Sequence, residues 1–139
     1  MPPCARLAHP TPFRPNSLPS RAPPYATETT FIFDWDDTLL ASSWLAANGL
    51  RLEEPAVVPA EAAAQLDALA ASVIALVTTA LMHGRVIVIT NAETGWVELS
   101  ARKFMPRVVP LLSKLRVLSA RSTFEALCPD SPSEWKVRT

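Results

Sequence analysis

The chain contains two short runs of bulky apolar residues without polar alternation, Phe31–Phe33 and Val86–Ile89. A third candidate strand, Leu115–Leu118, is apolar except for Arg116. An uninterrupted apolar run is typical of a strand buried on both faces, as in a parallel sheet. We therefore predict three strands, with the first two buried on both faces.

A helix is predicted between the first and second strands. Apolar residues recur at three- and four-residue steps from Ala60 to His83, and Gly84 follows them, so we predict one helix that ends there. The uncharged part of this helix, residues 68–82, is fifteen residues long. A membrane span needs about 20. We therefore predict a helix buried in the core and no membrane partner.

The second half of the chain also alternates between helix and strand. Helices are predicted over residues 94–104 and 106–112, and Ser122 and Ser131 each precede a glutamate by three residues, as in a capping box. Pro132 stands at the favoured first position of the last helix. Strands that alternate with helices predict an α/β fold with a parallel sheet.

Residues 1–28 differ from the rest of the chain. They hold eight of the fourteen prolines and no acidic residue before Glu28. Proline at this density disfavours helix and sheet, and no apolar core of a secretory signal is present. We predict a disordered tail at 1–28 and one domain at 29–139. A basic, acid-poor organellar transit peptide is the alternative for the tail, with the cytoplasm as the default location.

Composition removes several kinds of chemistry. The three glycines are scattered, which excludes a P-loop and a dinucleotide fingerprint, and two distant cysteines exclude a zinc ribbon. The zero net charge conceals an asymmetry. Eight acidic residues and one basic residue lie from Glu28 to Asp67, whereas six basic and no acidic residues lie from Arg102 to Arg121. Carboxylates on one segment could thus face anion-attracting charge on another, while the near-neutral pI argues against nucleic-acid binding.

Candidate chemistry follows the predicted strands. Asp34 and Asp36 come after the first strand, Thr90 and Asn91 come after the second, and ligands of parallel sheets bind at these carboxyl ends. One carboxylate can attack phosphorus, a second can transfer the proton, and the pair suits Mg²⁺. Thr90 and Asn91 can donate hydrogen bonds to the substrate. Lys136, near the start of the last helix, is the candidate cation for phosphoryl charge.

The same residues carry a family resemblance. The run Phe31–Leu40, an apolar strand followed by Asp-x-Asp-x-Thr, resembles the first motif of the haloacid dehalogenase (HAD) superfamily. Val86–Asn91 resembles the second motif, and Trp135-Lys136 resembles the third. The resemblance implies a Rossmannoid three-layer sandwich with a parallel sheet. The about fifty residues between the first two motifs leave room for a minimal cap.

The resemblance also implies a function, a Mg²⁺-dependent phosphohydrolase that cleaves a phosphomonoester through an aspartyl-phosphate. Asp34 would be nucleophile and metal ligand. Asp36 would be general acid/base and a second metal ligand through its carbonyl, and its presence indicates the phosphatase branch. Thr90 would hold the phosphoryl group and Lys136 would orient Asp34. The substrate would be a phosphorylated small molecule or a phosphoprotein.

One family feature has no counterpart in the sequence. The fourth motif, an acidic pair on a strand that pairs with strand one, is not found after Glu125, where only Asp130 and Glu134 are acidic. We therefore expect a sheet that is incomplete towards the C-terminus, an open edge on strand one and one missing metal ligand. The alternative is a catalytically inactive HAD-like fragment or binding module.

Two simpler interpretations stay open. The aspartates after strand one could cap a helix that begins at Thr38, because aspartate is favoured at helix N-termini. The tryptophans are predicted to be packing or rim residues; they are Trp35, Trp44, Trp96 and Trp135.

Overall fold

The computed structural model describes residues 29–52, 57–129 and 131–139, so the predicted tail at 1–28 lies outside the described residues. This part of the chain forms three strands, six α-helices and one 3₁₀-helix. In chain order the elements are β1 (Thr30–Asp34), α1 (Ser42–Ala47), α2 (Ala60–His83), β2 (Arg85–Thr90), α3 (Trp96–Phe104), the 3₁₀-helix (Pro106–Val108), α4 (Val109–Leu112), β3 (Arg116–Ser119), α5 (Ala120–Phe124) and α6 (Pro132–Arg138).

The three strands form one parallel sheet in the order β1-β2-β3. Asp34 lies opposite Ile89, and Thr90 lies opposite Ser119. The predicted α/β class with a parallel sheet is thus confirmed. In this register the carboxyl ends of all three strands meet at one edge of the sheet, where the candidate residues stand.

β1 lies at the side of the sheet. The Trp35 amide donates to the Ile89 carbonyl at 3.2 Å, and the Thr29 carbonyl accepts from the Arg85 amide at 3.0 Å. Because alternate residues of a parallel strand point their main-chain groups to opposite sides, those of Thr30, Ile32 and Asp34 point away from β2. No strand of the described ranges pairs with that side.

One face of the sheet carries the main core. Phe31 and Phe33 of β1 pack against it, together with the buried Val86 and Val88 of β2. The helices cover this face with buried side chains that include Val73, Val77, Val97, Ala101 and Leu112. The start of β1 comes very close to the end of α2, since a Cβ on Gly84 would lie 2.3 Å from the Thr29 carbonyl oxygen.

α2 extends over 24 residues and ends at His83, as the spacing predicts. Only one stripe of the helix is buried, and Leu76 and Met82 are exposed. The prediction that the whole helix is buried in the core is therefore wrong. The helix is long and apolar enough to cross a membrane by length and composition, although a core helix passes the same test. Its stripe packs on the core through Val73 and Val77.

The second face of the sheet is covered only in part. Ile89 packs with Ala120 of α5 and Trp135 of α6. Ile32 on β1 is 62% exposed, so the prediction that β1 is buried on both faces is wrong. The physical reason is that α5 and α6 pack over β2 and β3, and no described element covers Ile32.

The two predicted capping boxes have different outcomes. α5 begins at Ala120 rather than after Ser122, and the Ser119 side chain caps it by accepting from the Ser122 amide at 2.9 Å. The box at Ser122 is therefore wrong. α6 begins at Pro132 as predicted, but the Ser131 side chain makes no capping hydrogen bond.

Candidate active site

Asp34 and Lys136 meet at the carboxyl edge of the sheet. The Lys136 Nζ atom lies 2.8 Å from Asp34 Oδ1, and each side chain is about one-third exposed. α6 is anchored by the buried Trp135, whose indole N–H donates to the Cys128 carbonyl at 2.8 Å. The structure therefore brings together two residues that are 102 positions apart and that the sequence assigns to one site.

The Asp34 carboxylate has acceptor positions beyond the one that faces Lys136. Its Oδ1 atom is buried and makes no hydrogen bond, so the approach of Lys136 is an ion pair without hydrogen-bond alignment. An ionised carboxylate has about four acceptor positions. Asp34 can thus still contact a further cation or an electrophile.

Asp36 is held at both carboxylate oxygens. The Thr90 hydroxyl donates to Oδ2 at 2.7 Å, and the Trp96 indole N–H donates to Oδ1 at 2.8 Å. Thr90 is buried, and its Oγ1 also accepts from the Ala92 amide at 2.9 Å. The predicted neighbours Asp36 and Thr90 are therefore in direct contact, and Trp96 is a third partner that the sequence did not assign to the site.

Trp96 reaches Asp36 from the first turn of α3. Gly95 precedes it with φ +92°, a left-handed conformation that glycine adopts readily. Ser100, one turn later, is fully buried; its hydroxyl bonds the Trp96 carbonyl at 2.7 Å and accepts from the Trp35 indole at 3.0 Å. The glycine-tryptophan pair after a strand that ends in Thr90-Asn91 is the one sequence signal that could have indicated Trp96.

Asp37 serves the fold rather than the site. Its Oδ1 accepts from the Ser43 amide at 2.7 Å, and Oδ2 accepts from the Ser43 hydroxyl. The capping interpretation is wrong as stated, because no helix begins at Thr38. Asp37 instead bonds Ser43 in the first turn of α1, which begins at Ser42 and whose N-cap residue is Ala41. These hydrogen bonds from Ser43 lower the pKa of Asp37 below its ordinary value.

The substitution Asp37→Asn tests the contact between Asp37 and Ser43, through its effect on stability at different pH values. Because the folded-state pKa of Asp37 is lowered, the carboxylate stabilises the fold above its unfolded pKa of about 3.9. That contribution disappears as the pH falls through the folded value. Asparagine tolerates the left-handed φ of +55° at this position, so the substitution mainly removes charge. The thermal unfolding midpoints of the two proteins should differ to a small extent at pH 6, and the difference should shrink as the pH falls below about 3.9. A difference that stays constant as the pH falls contradicts the assignment.

Asn91 connects the loop after β2 to the start of α6. Its Nδ2 atom donates to the Pro132 carbonyl at 3.2 Å. Its Oδ1 atom is buried and has no hydrogen-bond partner. The contact positions the helix that carries Lys136, while the role of Asn91 in substrate binding stays a prediction.

The basic segment between Arg102 and Arg121 makes contacts elsewhere. Arg107 pairs with Asp67 of α2 at 2.8 Å, and Arg121 pairs with Glu125 at 3.1 Å. Lys103 donates to the carbonyl of Arg51. Arg121 also lies 3.9 Å from Glu93, in the loop after β2. The cation that contacts Asp34 is Lys136.

A narrow cleft lies beside Thr90. Its volume is about 210 Å³, below the roughly 300–1,000 Å³ of a typical small-molecule pocket. Polar residues line much of it, among them Glu93, Thr94, Ser119 and Thr123. Asp34, Asp36 and Lys136 are not among its lining residues, so this cleft adjoins Thr90 and not the pair of Asp34 and Lys136.

The residues at this edge offer Mg²⁺ only a small number of ligands. Across the residues with described structure, no cluster of three or more histidine, cysteine, aspartate or glutamate side chains is placed to hold a metal ion. Mg²⁺ is often bound through one or two carboxylates, with water and substrate phosphate as the other ligands. Asp34, whose side chain is about one-third exposed at this edge, fits such a role. The Asp36 carboxylate is engaged by Thr90 and Trp96, so its main-chain carbonyl is the group left for a metal.

No protein-family model, curated protein or solved structure matches this chain.

Proposed function

We propose that this chain is a HAD-like, Mg²⁺-dependent phosphohydrolase that cleaves a phosphomonoester through an aspartyl-phosphate on Asp34. The observation that carries the proposal is the pairing of Asp34 with Lys136 beside the hydrogen-bonded pair Asp36 and Thr90. These four residues come from three separate segments. A nucleophile, a proton carrier, a hydroxyl donor and a cation are the groups that phosphoryl transfer needs.

In the first step the Asp34 carboxylate forms a bond to phosphorus, and the bond from phosphorus to the leaving oxygen breaks. Asp36, protonated, gives its proton to that oxygen, which departs as an alcohol. Thr90 donates to a phosphoryl oxygen, and Lys136 holds Asp34 in place and offsets negative charge.

In the second step Asp36, now ionised, takes a proton from water. The water oxygen bonds to phosphorus and the bond from phosphorus to Asp34 breaks, so that inorganic phosphate leaves. Asp36 ends protonated and Asp34 ends ionised, which closes the cycle. Mg²⁺, held by Asp34 and the carbonyl of Asp36, would supply positive charge to the phosphoryl oxygens.

The strand order supports a HAD-like Rossmannoid sheet that is incomplete beside β1. The short segment between β1 and β2 favours a minimal cap, and such a cap would admit either a phosphorylated small molecule or a phosphoprotein. The second candidate function is a catalytically inactive binding module of the same fold. It is favoured by one observation: among the described residues, no cluster of three or more potential metal ligands forms at this edge of the sheet.

The two candidates are separated by assaying the purified protein with para-nitrophenyl phosphate. A phosphohydrolase should release phosphate with Mg²⁺ present, lose this activity when EDTA removes the metal, and recover it when Mg²⁺ is added in excess. Activity that is indifferent to EDTA contradicts the metal assignment. A complete lack of turnover with Mg²⁺ contradicts the enzyme and supports the binding module.

A further inference from the structure

The two partners of Asp36 differ in what they can do. A hydroxyl group donates and accepts hydrogen bonds, whereas an indole N–H only donates. Oδ2 of Asp36 faces the Thr90 hydroxyl at 2.7 Å, and Oδ1 faces the Trp96 indole at 2.8 Å. A proton on Oδ1 would point at another proton, while a proton on Oδ2 can be donated to the Thr90 oxygen.

Trp96 is also held firmly. Its ring is half-buried against the main core, and its carbonyl accepts from the buried Ser100 hydroxyl at 2.7 Å. Ser100 in turn accepts from the indole of Trp35, the residue between the two site aspartates. The first turn of α3 is therefore fastened to the segment that carries Asp36 at two points, one of them the carboxylate itself.

The Thr90 hydroxyl, in contrast, can rotate about its side-chain bond and donate to a substrate instead. When it does so, Oδ2 of Asp36 loses its partner while Oδ1 keeps the indole. We infer that Trp96 is a positioning residue that fixes Asp36 through Oδ1, so that Oδ2 carries the proton to the leaving oxygen. This inference rests on the proposed function, because it assigns a working atom within that site.

Trp96→Phe tests the inference, because it removes the donor and keeps an aromatic ring. A poor leaving group needs the proton from Asp36, and an aryl phosphate with a good leaving group does not. We expect kcat/KM for a primary alkyl phosphate to fall on the order of 10- to 100-fold. For para-nitrophenyl phosphate we expect kcat/KM to change by less than about threefold. This constant reports the steps up to departure of the leaving group, and para-nitrophenolate departs without a proton from Asp36.

Trp44→Phe is the matched control, since Trp44 is half-buried against the same core on α1 and takes no part in the site. It should leave the ratio of the two kcat/KM values unchanged. An equal loss on both substrates in Trp96→Phe assigns Trp96 a merely structural role and overturns the inference. Wild-type kcat/KM values on both substrates overturn it as well.

A measurement without turnover distinguishes this inference from the proposed function. The chain has four tryptophans and thus four indole N–H signals in a ¹⁵N-correlated NMR spectrum. Trp96→Phe identifies the Trp96 signal by removing it. Asp36→Ala should then shift that signal upfield as its acceptor is lost. An unmoved signal overturns the contact even in an active enzyme, whereas a moved signal in a protein that turns over neither phosphate preserves the contact and refutes the function.

Discussion

Asp34→Asn is expected to lower the turnover of para-nitrophenyl phosphate by on the order of 10⁴-fold or more, the range seen when a nucleophile is removed. The amide oxygen carries no negative charge and cannot form the acyl phosphate. Lys136 also loses the negative charge that its Nζ atom faces at 2.8 Å. The expected result is hence a loss in kcat, measured by phosphate release at saturating substrate.

The fold of this variant should be intact, because Asp34 is one-third exposed and asparagine has the same shape. Circular dichroism and the thermal unfolding midpoint provide that check. Glu61→Gln is a charge-matched control on α2, far from the site in the chain, and should retain full turnover. Acid-quenched wild-type protein should carry phosphate that hydroxylamine releases, and Asp34→Asn should carry none. Wild-type turnover in Asp34→Asn would refute Asp34 as the nucleophile.

Trp35→Ala should produce the largest loss of stability among core substitutions. Trp35 has no exposed surface, and its indole donates to Ser100 at 3.0 Å. Removing a buried tryptophan lowers the free energy of unfolding by about 3–5 kcal/mol. Small domains have only about 5–15 kcal/mol in total, so we expect a protein close to its unfolding threshold at room temperature.

Urea unfolding followed by circular dichroism measures this effect, since three tryptophans remain and fluorescence would change with the substitution itself. Trp35→Phe is the matched variant. It retains most of the buried ring, and Ser100 keeps its bonds to the carbonyls of Trp96 and Val97, so its loss should be clearly smaller. Equal midpoints for the alanine variant and the wild type would contradict the place of Trp35 in the core.

The elements that the sequence predicts correctly are those with a strong local signal. The 24-residue helix ending before Gly84 and the parallel sheet follow from apolar spacing, and α6 follows from Pro132. The contact between Asp36 and Thr90 was also predictable, because a parallel sheet gathers the ends of its strands at one edge. The contact between Asp34 and Lys136, which lies on α6, agrees with the role that the family resemblance implies for Lys136.

Other features depend on tertiary packing that local sequence does not encode. The exposure of Ile32 depends on which part of the sheet α5 and α6 cover, and an apolar run is the same with or without that cover. The hydrogen bond from Trp96 to Asp36 spans 60 positions and depends on the direction of α3 after Gly95. The cap on α5 moved to Ser119 because β3 continues directly into that helix.

The strand that carries Asp34 is one of the two edge strands whose outer sides are unpaired among the described residues. Any second strand laid along Thr30, Ile32 and Asp34 would bond the main chain of Asp34 itself. Association at this side would therefore change the activity of the site, to an extent that depends on protein concentration. Specific activity that drifts with protein concentration would be its signature, and dilution would reverse it. Neither β2 nor β3 could link assembly to catalysis in this way, since β1 alone joins that outer side to Asp34.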